Sequence, residues 1–217
     1  MNIISFFAEY KQYFITGAAM TLWLSLLTVI FGFLLGTVLV LMRLSGVKPL
    51  RWIAVAYVEF LRGTPLMVQL FIIYFGLTSF GIELPKFTSG VIALSMNSAA
   101  YLAEILRAGI QGVDKGQTEA ARSLGMSHAM TMRYIVFPQA LRNVLPAIGN
   151  EFIVVIKESS IVSLIGVSDI MYNAEIVRGS TFEGMKPLVL AAILYFILTF
   201  TLSKLFGVAE RRHQANA

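Results

Sequence analysis

The sequence predicts an all-α integral membrane protein, a single domain with five transmembrane helices. Composition, apolar runs and the placement of cations all support this prediction. Of the 217 residues, 57% are hydrophobic and 13% are charged, whereas soluble domains carry about 45–50% apolar and 25% charged residues. A net charge of +5 is compatible with nucleic-acid binding, but a membrane protein with its cations concentrated on one side explains it better.

Five segments are long and apolar enough to form a helix of about 20 residues across the hydrocarbon. They cover residues 14–42, 52–80, 87–109, 136–157 and 186–208, and the second and fourth also contain polar residues. Residues 1–13 lack the pattern of a cleavable signal peptide, because Glu9 and Lys11 interrupt them. The segment 158–185 is polar and rich in glycine, so we expect it to lie as a short helix at the outer surface.

Lysine and arginine set the predicted orientation, because cytoplasmic loops are enriched in both. With the N-terminus outside and the C-terminus inside, eleven cations fall on the cytoplasmic side: Arg43, Lys48, Arg51, Arg107, Lys115, Arg122, Arg133, Arg142, Lys204, Arg211 and Arg212. Five fall outside: Lys11, Lys86, Lys157, Arg178 and Lys186. Arg62 is left within a span.

The loop 110–137 between the third and fourth spans predicts two short helices separated by a glycine turn. Asp114 suits an N-cap, with Gln117 three residues later as in a capping box. Gly125 suits a left-handed C′ position, and Ser127 can cap the second helix.

Ala120, Ala121 and Leu124 recur at helical spacing and form a narrow apolar stripe on the first of these helices. One interpretation is an amphipathic helix that lies on lipid, for which two alanines and a leucine are a thin apolar face. The other is a helix that docks into a groove of another protein.

The same loop resembles the EAA loop of ATP-binding-cassette (ABC) importer permeases, E-A-A-x3-G-x9-I-x-L-P. Glu119, Ala120, Ala121, Gly125, Ile135 and Pro138 match, and Phe137 replaces leucine. The resemblance implies a type I importer permease fold with a cytoplasmic coupling helix that sits in a cleft of a separate ATPase subunit. It assigns the coupling contact to Glu119, Ala120, Ala121, Leu124 and Gly125.

Three further segments resemble the polar amino acid branch of that family, which takes up histidine, glutamine or arginine. They are Glu59–Pro65, Asn97–Glu104 and Asn150–Ser160. The resemblance implies a bacterial inner-membrane protein that pairs with a second permease subunit, identical or similar, and receives its amino acid from an extracytoplasmic binding protein. ATP and Mg²⁺ would be held by the partner ATPase, and this chain would bind no cofactor.

Polar residues within the predicted spans are candidates for the transport pathway. Asn97, Tyr101 and Glu104 share one helix face at spacings i, i+4 and i+7, and Glu151 and Glu158 repeat the seven-residue spacing. For Asn97, as for Asn150 and Gln69, hydrogen bonding between helices and contact with substrate remain equal alternatives. For Glu151 and Glu158 we favour the pathway over interhelical hydrogen bonding, because a zwitterion in transit needs groups of both signs and the fourth span supplies two carboxylates and the Lys157 ammonium. The buried acids favour a cationic substrate such as arginine, with glutamine and histidine as close alternatives.

Two features of the second span have a structural and a functional interpretation. Glu59 and Arg62 are i, i+3 neighbours, and we expect a structural ion pair. Thr64 and Pro65 suit the start of a half-helix whose positive end would hold a substrate carboxylate, although we favour a plain kink.

In the first span, Gly32 and Gly36 predict a close helix contact.

Several function classes find no support in the sequence. It has no G-x4-G-K-[ST] phosphate loop and no cysteine, and its two histidines, His128 and His213, both fall in predicted cytoplasmic segments. We therefore expect no ATPase activity, no metal site and no intramembrane protease in this chain. The alternative to an importer is an ion-coupled amino acid carrier or channel, with Glu151 as the ion site.

Overall fold

The structure, a computed structural model, describes residues 2–215 and contains only helices and connecting segments within that range. The side chains of residues 209, 210 and 212–215 are not described. The predicted cytoplasmic placement of Arg212 and His213 therefore lies outside the described residues, as do Met1 and residues 216–217 of the predicted domain. The all-α class is confirmed for the described part of the chain.

Ten α-helices follow one another: α1 Ile3–Leu44, α2 Lys48–Gly63, α3 Leu66–Phe71, α4 Leu77–Ser79, α5 Lys86–Gln111, α6 Lys115–Ser123, α7 His128–Thr131, α8 Phe137–Glu158, α9 Ile170–Thr181 and α10 Lys186–Ala215. A π-helical segment, Ile72–Gly76, joins α3 to α4, and a second, Met132–Val136, joins α7 to α8. A 3₁₀ segment, Ser159–Ile165, follows α8.

Among the described helices, α1, α5 and α10 are by themselves long and apolar enough to cross a membrane. They agree with the predicted spans 14–42, 87–109 and 186–208, although α1 begins much earlier, at Ile3. Phe6 and Phe14 are buried against α9 and the start of α10, and these contacts, distant in sequence, support the extra turns. Helix α8 reproduces the bounds predicted as 136–157, but its composition alone does not qualify it as a span.

The predicted span 52–80 is broken near its middle, where Gly63 and Pro65 interrupt it in the sequence. Helix α2 ends at Gly63, the next helical segment runs over Leu66–Ser79, and their axes differ by 109°. Thr64 and Pro65 between them have extended backbones, with ψ of 148° and 135°. Proline lacks an N–H and disfavours helical geometry in the residue before it, so the interruption was predictable. The angle exceeds that of a plain kink.

Helices α1 and α5 pack along each other through small residues and run in the same direction. A Cβ at Gly32 would lie 3.2 Å from the Ser98 side chain, and one at Gly36 would lie 3.0 Å from the Ala99 carbonyl oxygen. Neither position leaves room for a side chain, so the predicted close contact at Gly32 and Gly36 is confirmed.

The remaining long helices pack around this pair. Helix α8 runs antiparallel to α5, where Gly109 makes room for Val144, and α10 crosses α8, where Gly149 faces the Phe206 ring. The C-terminal half of α5 and the start of α8 therefore meet at the end of the bundle where α6 lies.

Segment 158–185, predicted as one short surface helix, contains two helical pieces. The 3₁₀ segment ends at Gly166, which has a left-handed backbone with φ of 81°, and α9 follows. One face of α9 is buried against α1 and α10 through Ile170, Ala174 and Val177. Gly179 does not interrupt the helix, since tertiary contacts outweigh its weak helix propensity.

Candidate functional site

The surface helix α6 has the cap that the sequence predicts at its start. Asp114 is the N-cap, and its Oδ1 accepts a hydrogen bond from the Gly116 backbone N–H at 2.6 Å. The predicted reciprocal contact from Gln117 is not formed; its Oε1 faces the Gln139 side-chain nitrogen at 3.5 Å. The predicted capping box is therefore not formed, whereas the predicted Asp114 cap is confirmed.

A Schellman motif ends α6 at the predicted glycine. Gly125 has φ of +83°, its N–H donates to the Arg122 carbonyl at 3.0 Å, and the Met126 N–H donates to the Ala121 carbonyl at 3.1 Å. These are the two bonds that define the motif. The chain reverses here, and Ser127 then caps α7 by accepting from the Met130 N–H at 3.3 Å.

The residues of the EAA pattern divide between two faces of α6. Ala121 is buried, and the segment Met132–Val136 packs on α6. Glu119 and Ala120 are exposed, and Leu124 is 85% exposed. The predicted stripe of Ala120, Ala121 and Leu124 is therefore not one continuous apolar face; Ala121 positions the helix, and Glu119, Ala120 and Leu124 form its outward surface.

A network of side-chain amides fills the break between α2 and α3. The Gln69 Nε2 donates to the carbonyl oxygens of Leu61 at 2.8 Å and Thr64 at 3.1 Å, and the Asn97 Nδ2 donates to the Gln69 Oε1 at 2.9 Å and to the Leu61 carbonyl at 3.3 Å. The carbonyls left without helical partners at the end of α2 thus find donors on α3 and α5. Asn97 and Gln69 have the interhelical role that was one of the two predicted alternatives.

Thr64 is not the predicted N-cap of a half-helix. Pro65 precedes the first helical residue, Leu66, and no side chain caps it. The Thr64 hydroxyl donates to the Phe60 carbonyl at 2.9 Å and accepts from the Gln69 Nε2 at 2.9 Å. The hydroxyl therefore helps hold the break together.

The predicted ion pair between Glu59 and Arg62 is wrong. The Arg62 guanidinium instead lies over the Tyr101 ring, 5.4 Å from its centroid. Glu59, Arg62 and Tyr101 are all exposed in the isolated chain. A polar face between α2 and α5 is therefore left uncovered in the isolated chain.

Glu104 lies between two arginines near the end of α5. Its Oε1 contacts the Arg43 Nη1, and its Oε2 accepts from the Arg107 Nη2 at 2.7 Å and Nε at 3.1 Å. The Arg43 contact was not predicted, because Arg43 lies on α1, 61 residues away in the chain. Each residue of the stripe Asn97, Tyr101 and Glu104 thus has its own set of partners.

Glu151 is the most buried of the predicted acidic site residues, with 8% of its surface exposed. Ser98 Oγ donates to its Oε1 at 2.9 Å. Glu158, two turns further along α8, is exposed, as is Lys157. The structure therefore places Glu151 next to Ser98 of α5, the residue after Asn97, whereas Glu158 lies away from this contact.

A second buried carboxylate was missed by the sequence analysis. Asp169 has no exposed surface; it caps α9 by accepting from the Tyr172 N–H at 2.8 Å, and it accepts from the Tyr195 hydroxyl at 3.0 Å. An aspartate directly before an apolar helix is a recognisable N-cap signal. It ties α9 to α10.

An apolar groove of about 600 Å³ lies between α1 and α5. It is lined mainly by Phe31, Leu34, Val38, Val91, Ile92 and Met96, and none of the predicted site residues contributes to it. The groove is therefore separate from the polar groups described above.

Residues 28–212 match the family of binding-protein-dependent transport system inner membrane components. The chain belongs to this family. Membership confirms the prediction of a transporter membrane subunit without enzymatic activity of its own.

The relatives and solved structures that resemble this chain match it over nearly its whole length. The arginine transport system permease protein ArtQ of Bacillus subtilis (strain 168) is 42% identical over 205 residues, 94% of each chain. The L-cystine transport system permease protein TcyB of the same strain is 41% identical over 197 residues, 90% of this chain and 84% of the relative.

A crystal structure of an amino acid ABC transporter with histidines contains a chain that is 52% identical and superposes with a TM-score of 0.94, covering 98% of this chain and 99% of that chain. The MetNI methionine ABC transporter in an inward-facing conformation superposes with a TM-score of 0.77 at 19% identity, covering 93% and 96%. The second match shows the fold alone.

Proposed function

We propose that this chain is the permease subunit of an ABC importer that moves a polar amino acid of the arginine, histidine or glutamine type into the bacterial cytoplasm. A separate ATPase subunit would hold ATP and Mg²⁺. The observation that carries the proposal is the outward surface of α6 at one end of a membrane bundle, formed by Glu119, Ala120 and Leu124. The names of relatives as similar as ArtQ support an amino acid as the substrate.

Helix α6 is the coupling helix in this proposal. A leucine that is 85% exposed beside an exposed alanine suits a groove in a protein partner, because small side chains allow close approach. Ala121 and the Schellman motif at Gly125 fix the orientation of that surface relative to α8. Closure of the two ATPases on ATP would draw two such helices together and move the spans above them.

A second permease subunit would cover the polar face between α2 and α5. Charged groups at membrane depth are costly unless they are paired or face a water-filled cavity, and Glu59, Arg62 and Tyr101 are exposed in the isolated chain. A two-fold arrangement with an identical or similar subunit places two such faces opposite each other. The cavity between them is the proposed pathway.

Glu151 is the leading candidate for a substrate contact. Its carboxylate has a single hydroxyl partner, Ser98, and can accept further hydrogen bonds from an ammonium or guanidinium group. Tyr101 and Glu158 are exposed and remain candidate contacts along the pathway. Asn97, Thr64 and Glu104 are engaged with their own chain, so they would contact substrate only with their remaining hydrogen-bonding capacity.

The proposed topology has five spans with the N-terminus outside and the C-terminus inside. Helix α8 and the bent pair formed by α2 and Leu66–Ser79 would add two spans to α1, α5 and α10. The bent pair passes the length and composition criterion when it is counted as one span. The end of the bundle opposite α6 would then receive the extracytoplasmic binding protein.

Reconstitution tests the proposal. The chain is reconstituted in vesicles with a candidate ABC ATPase from the same organism, and uptake of labelled arginine, histidine and glutamine is measured with a candidate amino-acid-binding protein outside. We expect uptake that requires ATP and the binding protein. Uptake driven by an ion gradient without ATP would instead support the carrier.

A further inference from the structure

The tip, residues 182–185, connects α9 to α10. It carries an exposed aromatic residue, Phe182, whose backbone conformation is unfavourable and whose ring gains little contact with its own chain. Phe182 has φ of 55° and ψ of 18°, in the left-handed region, and 94% of its surface is exposed. A helix that ends in this conformation normally places glycine or asparagine there, since a bulky side chain is disfavoured. Within the described residues it is the sole non-glycine with positive φ.

Hydrogen bonds tie the backbone of the tip to α9, whereas the Phe182 ring is exposed. The face of α9 below it is buried, with Val177 fully covered. The Thr181 hydroxyl donates to the Val177 carbonyl at 2.7 Å and accepts from the Glu183 N–H at 3.3 Å. The position of Phe182 is therefore set by the fold and not by the contacts of its own ring.

Paired charges surround the tip. Arg178 and Glu175 lie 3.0 Å apart, and Lys186 pairs with Glu183. The two pairs leave the surroundings of Phe182 without net charge. An anionic lipid surface attracts clustered cations, whereas an apolar centre with a polar rim is the usual anatomy of a protein–protein interface.

Phe182 lies at the end of the bundle opposite α6. It precedes α10, whose first residue, Lys186, has its ammonium 5.8 Å from the Phe6 ring near the start of α1. Lys86 at the start of α5 lies against Gly166, just before α9. In contrast, α6 follows the last residue of α5, so a partner on Phe182 does not compete with the ATPase.

We infer that Phe182 is a docking residue for the extracytoplasmic amino-acid-binding protein, which buries its ring in an apolar pocket. This inference rests on the proposed function and specifies where that partner binds. The left-handed backbone keeps the ring pointing away from α9, so that the partner meets a preformed contact. Preorganised aromatic residues are frequent sources of interface affinity.

The test measures binding of an amino-acid-binding protein from the same organism, loaded with its amino acid, to the permease–ATPase complex in nanodiscs. Phe182→Gly removes the ring and also removes the backbone conflict. We expect docking at least ten-fold weaker with an unfolding temperature that is unchanged or higher. Phe182→Trp should keep docking within a few fold of the natural chain.

Trp52→Ala provides the control, since Trp52 is 73% exposed and lies on α2 near the opposite end of the bundle. Docking should be unchanged in that variant. Undiminished docking of Phe182→Gly would overturn the inference, as would a fall in its unfolding temperature that depends on the lipid and indicates a membrane anchor. A natural complex that binds no binding protein and imports nothing with ATP would overturn the proposed function itself, before any variant is compared.

Discussion

Gly125 gives α6 its left-handed ending, so its replacement by valine should impair coupling without altering any packed contact. Nothing lies within 4 Å of a Cβ built at this position, and φ is +83°. The cost is therefore conformational, about 1–2 kcal/mol for an L-residue in the left-handed region. That cost corresponds to a 5–30-fold smaller population of the native turn.

The chain offers a matched control for this change. Gly81 has φ of +80° and is equally open, but it lies in the loop before α5, away from α6. Gly81→Val carries the same backbone cost, and Gly125→Asn restores tolerance of the left-handed region. Comparison of the three variants separates the turn at α6 from a general loss of stability.

The assay measures amino acid uptake per ATP hydrolysed, together with the unfolding temperature, in vesicles that contain the complete importer. We expect similar small losses of stability in Gly125→Val and Gly81→Val, but a clear loss of uptake per ATP in Gly125→Val alone. Gly125→Asn should resemble the natural chain. Equal uptake by the two valine variants would refute the assignment of α6 as the coupling helix.

Three further changes test other parts of the structure. Gln69→Leu removes the donor that joins the α2–α3 break to α5 and should destabilise the chain by about 1–3 kcal/mol, measured by thermal unfolding; no loss would mean that the network contributes nothing. Glu151→Gln should weaken binding of a cationic amino acid about ten-fold or more, as a charge-assisted contact is lost, in a titration where Glu175→Gln serves as the unaffected control. Gly36→Leu should cost about 1–3 kcal/mol or more because the α1–α5 contact has no room, whereas Gly207→Leu, with open space around it, should unfold like the natural chain.

Local signals made the ends of the short helices predictable. Asp114, Gly125 and Ser127 each act through backbone groups within a few residues, so their roles depend little on the rest of the fold. The break at Pro65 was located for the same reason. Its angle of 109° was not predictable, because it depends on how Gln69 and Asn97 bind the freed carbonyls from other helices.

Partners distant in the chain account for the errors. Glu59 and Arg62 have the right spacing for an ion pair, but Tyr101 on α5 lies beside Arg62 in the folded chain. The contact between Arg43 and Glu104 was not predicted, because Arg43 lies on α1, 61 residues away in the chain. Likewise, the sequence around α6 does not show which of its residues are buried, because the segment Met132–Val136 packs on α6 only in the folded chain.

The π-helical segment Met132–Val136 connects α7 to α8 with wider turns than an α-helix has. Tightening of this segment to ordinary α geometry would shift the register of the chain that follows by one residue. One residue corresponds to about 100° of rotation about the axis, given 3.6 residues per turn. A small pull on α6 and α7 would thus be converted into a turning of α8, which would swing the Glu151 carboxylate relative to the proposed cavity between subunits.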